Sequence, residues 1–400
     1  LSGYGLVPFH GLASSPTIAL PASGELLLGR DPGPTGVKVA DPRCSRRHAS
    51  VTVTERGHTV RDLGSKNGTF VNGERVQEAA LKAGDHLRIG HAEFGFCAAG
   101  EPCRCACCMK TLITAPPEAP FCTECRRSFP LLGATLGERR LLRGLGNGSF
   151  GSVYVGHRPG NPYVAVKVLH VEFTESPDVV MKFLREAYAT AGIEHENIVR
   201  FGDSGHESGH WYIILEYFPS VSLRQILDER GTVSEAELLP MARQILNALE
   251  YAHDQKLLHR DIKPGNILIS TDGRVKMVDF GLAKRLVDSA FTSHTATGMP
   301  GTPLFMAPEV LQGSKKFTFR SDIYSLGATL FRALTGRHPI EARKLDEWMT
   351  ALQTETPPRA SSIRTGISPQ LDDALQKALQ KEPAKRHASM RTFRKALGLT

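Results

Sequence analysis

The feature that most constrains this chain is an ordered series of short motifs in its C-terminal half. The segments HRDIKPGNIL, VKMVDFGLAK and GTPLFMAPE follow one another between residues 259 and 309. They carry Asp261, Asn266 and Asp279, which offer a proton acceptor and oxygen or amide ligands for Mg²⁺. One Asp in such a run is more often a turn residue than a catalyst. Several motifs in one order make chance agreement negligible, so the series predicts a site for phosphoryl transfer.

A glycine-rich segment upstream supplies the other half of such a site. The run LLRGLGNGSFGSVYVG holds Gly146, Gly148 and Gly151 in the pattern G-x-G-x-x-G. The pattern alone is weak because it also opens dinucleotide sites, but here it lies between two strand-like runs, which favours a hairpin over phosphates. Lys167 follows on an apolar alternating strand, and Glu186 lies beside the apolar face of a predicted helix. A carboxylate there could fix the lysine on ATP phosphates.

In this order the motifs resemble the eukaryotic-like Ser/Thr protein kinase family of bacteria, over residues 139–397. The resemblance implies a bilobal α+β fold, with a mostly β N-lobe at about 139–217 and a helical C-lobe at about 218–397. ATP would bind between the lobes. Asp261 is implied as the catalytic base. Lys263 would steady the γ-phosphate, and a lysine there is typical of Ser/Thr rather than Tyr kinases.

The same resemblance assigns the remaining residues of the site. Lys167 and Glu186 complete the implied catalytic set. Glu309 would pair with Arg386, and Asp322 would brace the loop that carries the catalytic base. The implied Mg²⁺ (or Mn²⁺) ligands are Asn266 and Asp279. The implied nucleotide contacts are Gly146, Gly148, Gly151, Val153, Ala165, Lys167, Leu215, Glu216, Phe218, Asn266, Leu268 and Asp279.

The segment LVDSAFTSHTATGMPGT, between the second and third motifs, is rich in hydroxyl side chains. Arg260 precedes the implied catalytic base, and its cation would favour a phosphate on this segment. Thr295 and Thr297 are the predicted autophosphorylation sites. Thr302 is expected to lie beside Asp261 and to shape the acceptor site instead.

The first hundred residues have a different pattern. Segments such as SVTVTE, HTVRDL, GTFVNG and DHLRIG alternate apolar and polar residues and end at Gly, Asn or Asp, which predicts short strands of an all-β sandwich. The Asn-Gly pairs in KNGT and VNGE suit tight turns. Loops between the strands concentrate Arg, Ser, Lys and Asn, the donors that a phosphate group requires.

The order G-R, S-R-x-H-A and L-G-S-x-N-G-T-x-V-N-G closely resembles the forkhead-associated (FHA) domain, over about residues 15–98. The resemblance implies an eleven-stranded sandwich that binds phosphothreonine peptides. Arg30 and Ser45 would contact the phosphate, with Arg46 nearby, and Asn67 would hold the peptide backbone.

Between these two parts, residues 101–130 hold six of the eight cysteines in the chain. Two C-x-x-C pairs with thirteen residues between them have the spacing of a zinc ribbon that closes on a tetrahedral Zn²⁺. The ligands of that register are Cys105, Cys108, Cys122 and Cys125. With some thirty residues and almost no apolar core of its own, this segment is expected to fold only with the metal and to act as a spacer.

Other interpretations of the cysteines remain open at this point. A shifted register could use Cys103 and Cys107, and surplus thiols could be reactive or bind a second metal. A redox role and a passive linker are the alternatives. Disulfide staples fit poorly, because the chain shows no secretory signal and therefore favours a reducing compartment.

Charge and hydropathy exclude some classes of function. The formal net charge is +8, which suits acidic partners without choosing among them. No apolar run approaches the ~18 residues of a membrane span, and residues 100–130 lack aromatic residues among clustered cations, so neither a membrane segment nor a nucleic-acid partner is expected. The start LSGYGLVPFHGL lacks a Met and suggests a piece of a longer chain, in which an anchor could lie elsewhere. We expect a cytoplasmic protein.

The predicted fold is multidomain, with an all-β FHA sandwich, a small zinc-ribbon-like module and a bilobal kinase fold. The expected function is transfer of the ATP γ-phosphate to Ser/Thr hydroxyls of proteins, with an FHA module that binds phosphothreonine on the chain itself or on partners. A transient homodimer belongs to the same expectation. The alternative is a phosphopeptide scaffold with an inactive kinase fold.

Overall fold

The structure is a computed structural model that describes most of the chain, in two compact units. The first unit comprises Leu1–Val180 and Asp203–Tyr217, and the second comprises Met181–Gly202 and Phe218–Thr400. Within them, the described residues are 4–10, 18–39, 41, 43–54, 57–90, 92–98, 103–105, 107–108, 112–113, 121–158, 160–280, 304–311, 317–342 and 345–399.

The N-terminal part of the first unit is a sandwich of two sheets. Its described strands are β1 (Tyr4–His10), β2 (Ile18–Ala19), β3 (Gly24–Gly29), β4 (Val37–Lys38), β5 (Ala49–Thr54), β6 (Gly57–Asp62), β7 (Thr69–Val71), β8 (Glu74–Val76), β9 (Glu78–Leu81), β10 (His86–Ile89) and β11 (Ala92–Ala98). One sheet has the order β2-β1-β11-β10-β7-β8 and the other β4-β3-β5-β6-β9. The described residues thus contain eleven strands, the number that the FHA resemblance implies, although β1 lies before residue 15, where that resemblance begins.

Alternation and turn chemistry explain this part of the fold. Strand β10 buries Leu87 and Ile89 completely against the opposite sheet, while its intervening residues are half-buried. The two-residue turn between β7 and β8 consists of Asn72 and Gly73, with φ of 52° and 91°. Positive φ at both positions is what the tight hairpin turn requires, so the Asn-Gly prediction is confirmed here.

The first unit continues with the Cys-rich segment and a six-stranded sheet. The Cys-rich segment contributes β12 (Cys103–Arg104), β13 (Leu112–Ile113) and α1 (Thr123–Ser128). The sheet comprises β14 (Thr135–Leu136), β15 (Arg139–Asn147), β16 (Gly151–His157), β17 (Val164–Leu169), β18 (Phe201–Glu207) and β19 (His210–Glu216), in the order β14-β15-β16-β17-β19-β18.

The Cys-rich segment packs on this sheet instead of standing apart. One apolar cluster joins its cysteines and Phe121 to Leu141, Tyr154 and Val166 of the sheet. The segment therefore shares a core with β15–β17. The sequence did not predict this packing, in which the neighbouring sheet supplies the apolar core that the segment lacks.

The second unit is mainly helical. Helix α2 (Pro177–Ala189) continues into it from the first unit. The described elements that follow are β20 (Val221–Ser222), α3 (Leu223–Arg230), α4 (Glu235–Asp254), β21 (Ile267–Ile269), β22 (Val275–Met277), α5 (Pro308–Leu311), α6 (Phe319–Thr335), α7 (Leu345–Thr354), α8 (Ala360–Ile363), α9 (Pro369–Ala378) and α10 (Met390–Ala396). None of the helices in the described ranges combines the length and the apolarity of a bilayer-crossing segment.

Local signals set the ends of these helices. Ser234 and Glu237 form a reciprocal capping box at the start of α4, as their spacing predicted. Helix α6 is the centre of the core, with nearly every residue buried, and it ends at Gly336 in the left-handed conformation (φ 74°). In the chain, the long α4 precedes the motifs of residues 259–309 and α6 follows them.

Candidate functional site

The loop that follows α4 brings three of the predicted site residues into contact. Lys263 Nζ lies 2.7 Å from Asp261 Oδ2. Asn266 Nδ2 donates to the same oxygen at 3.0 Å and to the Asp261 carbonyl oxygen at 2.8 Å. Both side-chain contacts fall on Oδ2, so Oδ1 is the carboxylate oxygen suited to accept a substrate proton. Because the Asn266 amide nitrogen donates to Asp261, the amide oxygen of Asn266 is directed away from Asp261.

A buried carboxylate holds this loop in place. Asp322 is 1% exposed and accepts the backbone N–H groups of His259 and Arg260, each at 2.9 Å. The ring Nε2 of His253 donates to the same carboxylate at 2.8 Å. Burial lowers the pKa of His259, whose Nδ1 accepts the Asp261 N–H at 3.3 Å. The segment that leads to Asp261 is therefore fixed by three donors on one carboxylate.

Asp279 lies beside Asn266 through the hairpin of β21 and β22. The backbone N–H of Val278 donates to the Asn266 carbonyl oxygen at 3.1 Å. The ring of Phe280 packs on the His259 ring with 4.4 Å between centroids. Asp279 has a φ of 61°, which a non-glycine residue adopts only where its surroundings enforce it. The two expected Mg²⁺ ligands are thus held on adjacent strand ends.

The glycine-rich segment forms the predicted hairpin of β15 and β16. The Gly148 N–H donates to the Gly151 carbonyl oxygen at 3.0 Å across the turn. A Cβ at Gly151 would lie 2.3 Å from the Val168 carbonyl oxygen, so glycine is required there. Lys167 of β17 pairs with Val153 of β16. Lys167 therefore lies on the strand next to this hairpin, and Val153 lies on the hairpin itself.

Of the other residues predicted to contact the nucleotide, some belong to the first unit and some to the second. Ala165 and Leu215 are partners on β17 and β19, with Glu216 next to Leu215. In the second unit, Phe218 is buried and Leu268 is half-buried in β21. Glu186 lies in α2 with its side chain outside the described part, so its pairing with Lys167 stays a prediction. Thr295, Thr297 and Thr302 lie outside the described residues.

One end of the N-terminal sandwich has a cleft of about 400 Å³. Its lining residues are Arg30, Arg43, Cys44, Ser45, Lys66 and Asn67. Ser45 Oγ accepts the Lys66 N–H at 3.2 Å, which leaves the hydroxyl proton available for a ligand. Asn67 Nδ2 donates to the Arg43 carbonyl oxygen at 2.6 Å and so ties two of the loops together. Three cations and a hydroxyl on one cleft make an anion site.

His48 supports this cleft from below. It is fully buried, its Nδ1 accepts the Ser45 N–H at 3.1 Å, and its Nε2 donates to the Gly68 carbonyl oxygen at 3.0 Å. Arg46 is not among the residues that line the cleft, so its contact with a ligand stays a prediction.

Comparison with known families identifies the two domains. Residues 139–397 match the protein kinase domain family, and residues 26–90 match the FHA domain family. The chain belongs to the protein kinase family. It carries an FHA domain ahead of the kinase domain.

The chain is similar to curated Ser/Thr protein kinases of bacteria. The chain is 38% identical over 274 residues to Serine/threonine-protein kinase Pkn1 of Myxococcus xanthus, a match that covers 67% of this chain and 39% of the relative. It is 33% identical over 253 residues to Serine/threonine-protein kinase PrkC of Bacillus subtilis, covering 63% of this chain and 38% of the relative. The matches thus span about two fifths of these relatives.

Solved structures show the same folds. The kinase domain of PknI from Mycobacterium tuberculosis has 28% sequence identity and a TM-score of 0.52, with 67% of this chain and 98% of that chain covered. A structure of Rad53 in complex with AMP-PNP covers 98% of both chains at 22% identity and a TM-score of 0.53. At this identity, the similarity to Rad53 supports the fold alone.

The second unit of this kinase contains a buried ion pair that anchors α5. The guanidinium of Arg386 donates to both carboxylate oxygens of Glu309, at 2.8 and 2.7 Å. Its remaining donors reach the carbonyl oxygens of Arg320, Gln380 and Lys381. Burial alone would raise the pKa of the Glu309 carboxyl, but the hydrogen bonds and charge of Arg386 outweigh it and hold that pKa below its ordinary value.

Four cysteine side chains meet in the first unit of the kinase. The Sγ atoms of Cys105, Cys108, Cys122 and Cys125 lie within 4.8 Å of one another. Zn–S bonds of about 2.3 Å in a tetrahedron place the sulfurs about 3.8 Å apart, so the cluster has nearly the right size. The N–H groups of Cys122 and Cys125 donate to Cys105 Sγ (3.2 Å) and Cys122 Sγ (3.4 Å). Such bonds stabilise thiolate ligands.

The other two clustered cysteines have different surroundings. Cys107 lies outside the set of four, and its Sγ accepts the Gly144 N–H at 3.4 Å. The side chain of Cys103 lies outside the described part. Burial raises the pKa of the Cys105, Cys107 and Cys125 thiols. Of these, Cys105 and Cys125 belong to the cluster, and a bound cation would be needed to hold them as thiolates.

Sequence reasoning missed some contributors to these sites. Arg43 and Lys66 add positive charge to the FHA cleft, and the cations in PRCSRRHAS and GSKNG were the available signal. His253 was also missed, because a histidine near the end of a helix gives no sign of the carboxylate that it meets 69 residues later.

Proposed function

We propose that this chain is an ATP- and Mg²⁺-dependent Ser/Thr protein kinase. The observation that carries the proposal is the contact of Asp261 with Lys263 and Asn266 in a loop braced by Asp322. An inactive scaffold would have no need for these groups in contact. Proteins with Ser or Thr hydroxyls are the proposed substrates.

In the proposed reaction, Asp261 Oδ1 accepts the proton of the substrate hydroxyl. The hydroxyl oxygen forms a bond to the γ-phosphorus as the bond to the β,γ-bridging oxygen breaks, and ADP leaves with that electron pair. Lys263 holds the γ-phosphate oxygens. Asn266 and Asp279 would hold Mg²⁺, which supplies charge neutralisation on the phosphates. Lys167 would hold the phosphates that remain on ADP.

The proposal includes autophosphorylation at Thr295 and Thr297. The test is incubation of the purified chain with Mg²⁺ and γ-labelled ATP, followed by mapping of the phosphate by mass spectrometry. Label on Ser or Thr of an added protein is expected, with part of the self-label on these two threonines. Their double replacement by Ala should lower self-labelling, whereas Thr292→Ala with Ser293→Ala is the matched control. Absence of all label would contradict the kinase proposal.

We further propose that the FHA cleft binds phosphothreonine peptides through Arg30, Ser45 and the nearby cations. Arg30→Ala should weaken binding of a phosphothreonine peptide at least about tenfold, because it removes charge-assisted hydrogen bonds to the phosphate. Fluorescence anisotropy with matched phosphorylated and unphosphorylated peptides measures this. Arg61→Ala removes an exposed cation of β6, paired with Glu78, and should leave affinity unchanged. Equal affinity of wild type and Arg30→Ala would exclude this cleft.

We propose a structural Zn²⁺ held by Cys105, Cys108, Cys122 and Cys125. The size of the cluster, its four sulfur donors and its N–H···S bonds support zinc. Elemental analysis of the purified chain should find one zinc ion per chain, and Cys122→Ser should lose it. Cys97→Ser, a buried cysteine in β11 outside the set of four, is the control that should retain the metal. A wild-type chain without metal would contradict the site.

Partners and location follow from the same chemistry. Phosphothreonines on a partner or on the activation segment of another copy are the proposed FHA ligands, and the second case would join two copies transiently. We propose a cytoplasmic location, where cysteines stay reduced and can ligate the proposed zinc ion.

A further inference from the structure

The Cys-rich segment touches the kinase sheet at the strand that leads into the glycine-rich loop. Helix α1 begins after Cys122, contains Cys125 and ends at Ser128. The Phe129 N–H donates to the Cys125 carbonyl oxygen at 2.8 Å. The residue that follows this helix is therefore tied directly to Cys125, a member of the cysteine cluster.

Asn147, inside the glycine-rich loop, bridges to this helix end. Its Nδ2 donates to the Ser128 carbonyl oxygen at 3.1 Å. Its Oδ1 accepts the Ser152 hydroxyl at 3.0 Å and lies 3.1 Å from His170 Nε2. The amide thus joins the loop on one side to the Cys-rich segment and on the other to the strands that follow.

A second contact lies just before the loop. A Cβ built on Gly144 would fall 2.4 Å from three ring carbons of Phe129, so the ring fills the space that glycine leaves. The same residue donates its N–H to Cys107 Sγ at 3.4 Å. Gly144 is also the cross-strand partner of Tyr154, against whose ring Phe129 stands edge-on at 5.7 Å. Phe129 therefore covers both strands of the hairpin.

The glycines of the loop have open space around them. Among the described residues, a Cβ on Gly146 would meet no atom within 4 Å, and one on Gly148 would meet only the Gly151 carbonyl oxygen, at 3.5 Å. Glycines in open space leave a loop with many conformations, and ordering them on ligand binding costs entropy. Contacts at residues 144 and 147, on either side of Gly146, reduce that cost before ATP arrives.

We infer that Phe129 and the Ser128 carbonyl group are positioning residues for the glycine-rich loop, so that the metal-folded Cys-rich segment raises the affinity of the kinase for ATP. The inference rests on the proposed kinase function and extends it: the Cys-rich segment acts on nucleotide binding, through α1, in addition to joining two domains.

The experiment measures binding of AMP-PNP with Mg²⁺ to the full chain by calorimetry, together with KM for ATP and kcat. Phe129→Ala is expected to raise the Kd and the KM about tenfold, with kcat changed by less than about twofold, because the lost contacts order the loop equally in the ground state and the transition state. Phe129→Leu, which keeps an apolar filler over Gly144, should recover part of the affinity. Arg127→Ala, exposed on the same helix, is the matched control with unchanged Kd.

A second arm tests the route from the metal. A zinc-selective chelator, with Mg²⁺ in excess, should raise the Kd of wild type about tenfold and leave that of the Phe129→Ala/Asn147→Ala double variant unchanged. An equal Kd for wild type, Phe129→Ala and Asn147→Ala would overturn the inference, and so would an equal chelator effect in wild type and the double variant. Circular dichroism checks folding, and if Phe129→Ala unfolds, Phe129→Leu and Asn147→Ala carry the test. A wild-type chain that binds no AMP-PNP would instead refute the proposed kinase function.

Discussion

Replacing Asp261 with Asn is expected to lower kcat by about 10²–10⁴-fold. The substitution keeps the size of the side chain but removes the carboxylate that we propose accepts the substrate proton. It also removes the charge that pairs with Lys263 at 2.7 Å. Nucleotide affinity should change far less, because the proposed phosphate contacts lie on other residues. Initial rates with γ-labelled ATP and calorimetry with AMP-PNP separate the two effects.

A matched control variant tests whether the loss of any carboxylate near a cation lowers kcat. Asp228→Asn removes an exposed carboxylate of α3 that also faces a cation, Arg224 at 3.5 Å. Its kcat should equal that of wild type. If Asp261→Asn transferred phosphate as fast as Asp228→Asn, the proposed base would be wrong, and the kinase fold would be better explained as a scaffold.

The second large effect concerns stability. Arg386→Ala is expected to destabilise the kinase domain by about 3–5 kcal/mol, because it leaves the Glu309 carboxylate without its partner. The side chain of Arg386 has no exposed surface and makes five hydrogen bonds, which also tie α5 to the segment after α9. The midpoint of urea unfolding, followed by circular dichroism, measures the loss. Arg386→Lys keeps the charge but not the bidentate fork, so it should fall in between.

An exposed pair in the same unit provides the comparison. Arg337 also binds one carboxylate through two nitrogens, at 3.2 and 3.0 Å from Glu341 Oε2, but both side chains are about half exposed. Arg337→Ala should cost less than about 1 kcal/mol. Equal losses for Arg337→Ala and Arg386→Ala would contradict the importance of burial for the Glu309–Arg386 pair.

Much of this architecture could be predicted because its signals are local. The Asn72-Gly73 turn and the Ser234–Glu237 cap each depend on residues adjacent or three apart. The catalytic loop is similar, since Asp261 and Asn266 contact each other over five residues. The Glu309–Arg386 pair spans 77 residues and could be anticipated only from the family resemblance, which the structure bears out in its geometry.

The docking of the Cys-rich segment on the sheet could not be predicted, because it has no local sequence signal of this kind. Its contacts use a backbone carbonyl group at Ser128, a ring placed over the bare Cα of Gly144, and a cysteine outside the metal spacing, Cys107. No periodicity or residue type in the sequence predicts any of these contacts. A carbonyl group is present in every residue, and the absence of a side chain gives no information about what fills the space.

The shared core between the Cys-rich segment and the kinase sheet bears on where the catalytic part of this protein can be cut. A polypeptide that begins at residue 139, where the family match begins, would lose Phe121, Leu132 and Leu136 from one side of that core. Tyr154 and Val166 are at most 1% exposed in the full chain. In the shorter polypeptide they would face water and form an apolar surface that promotes aggregation. The smallest kinase fragment that folds well should therefore begin before Cys105, so that it keeps this core and the proposed zinc ligands.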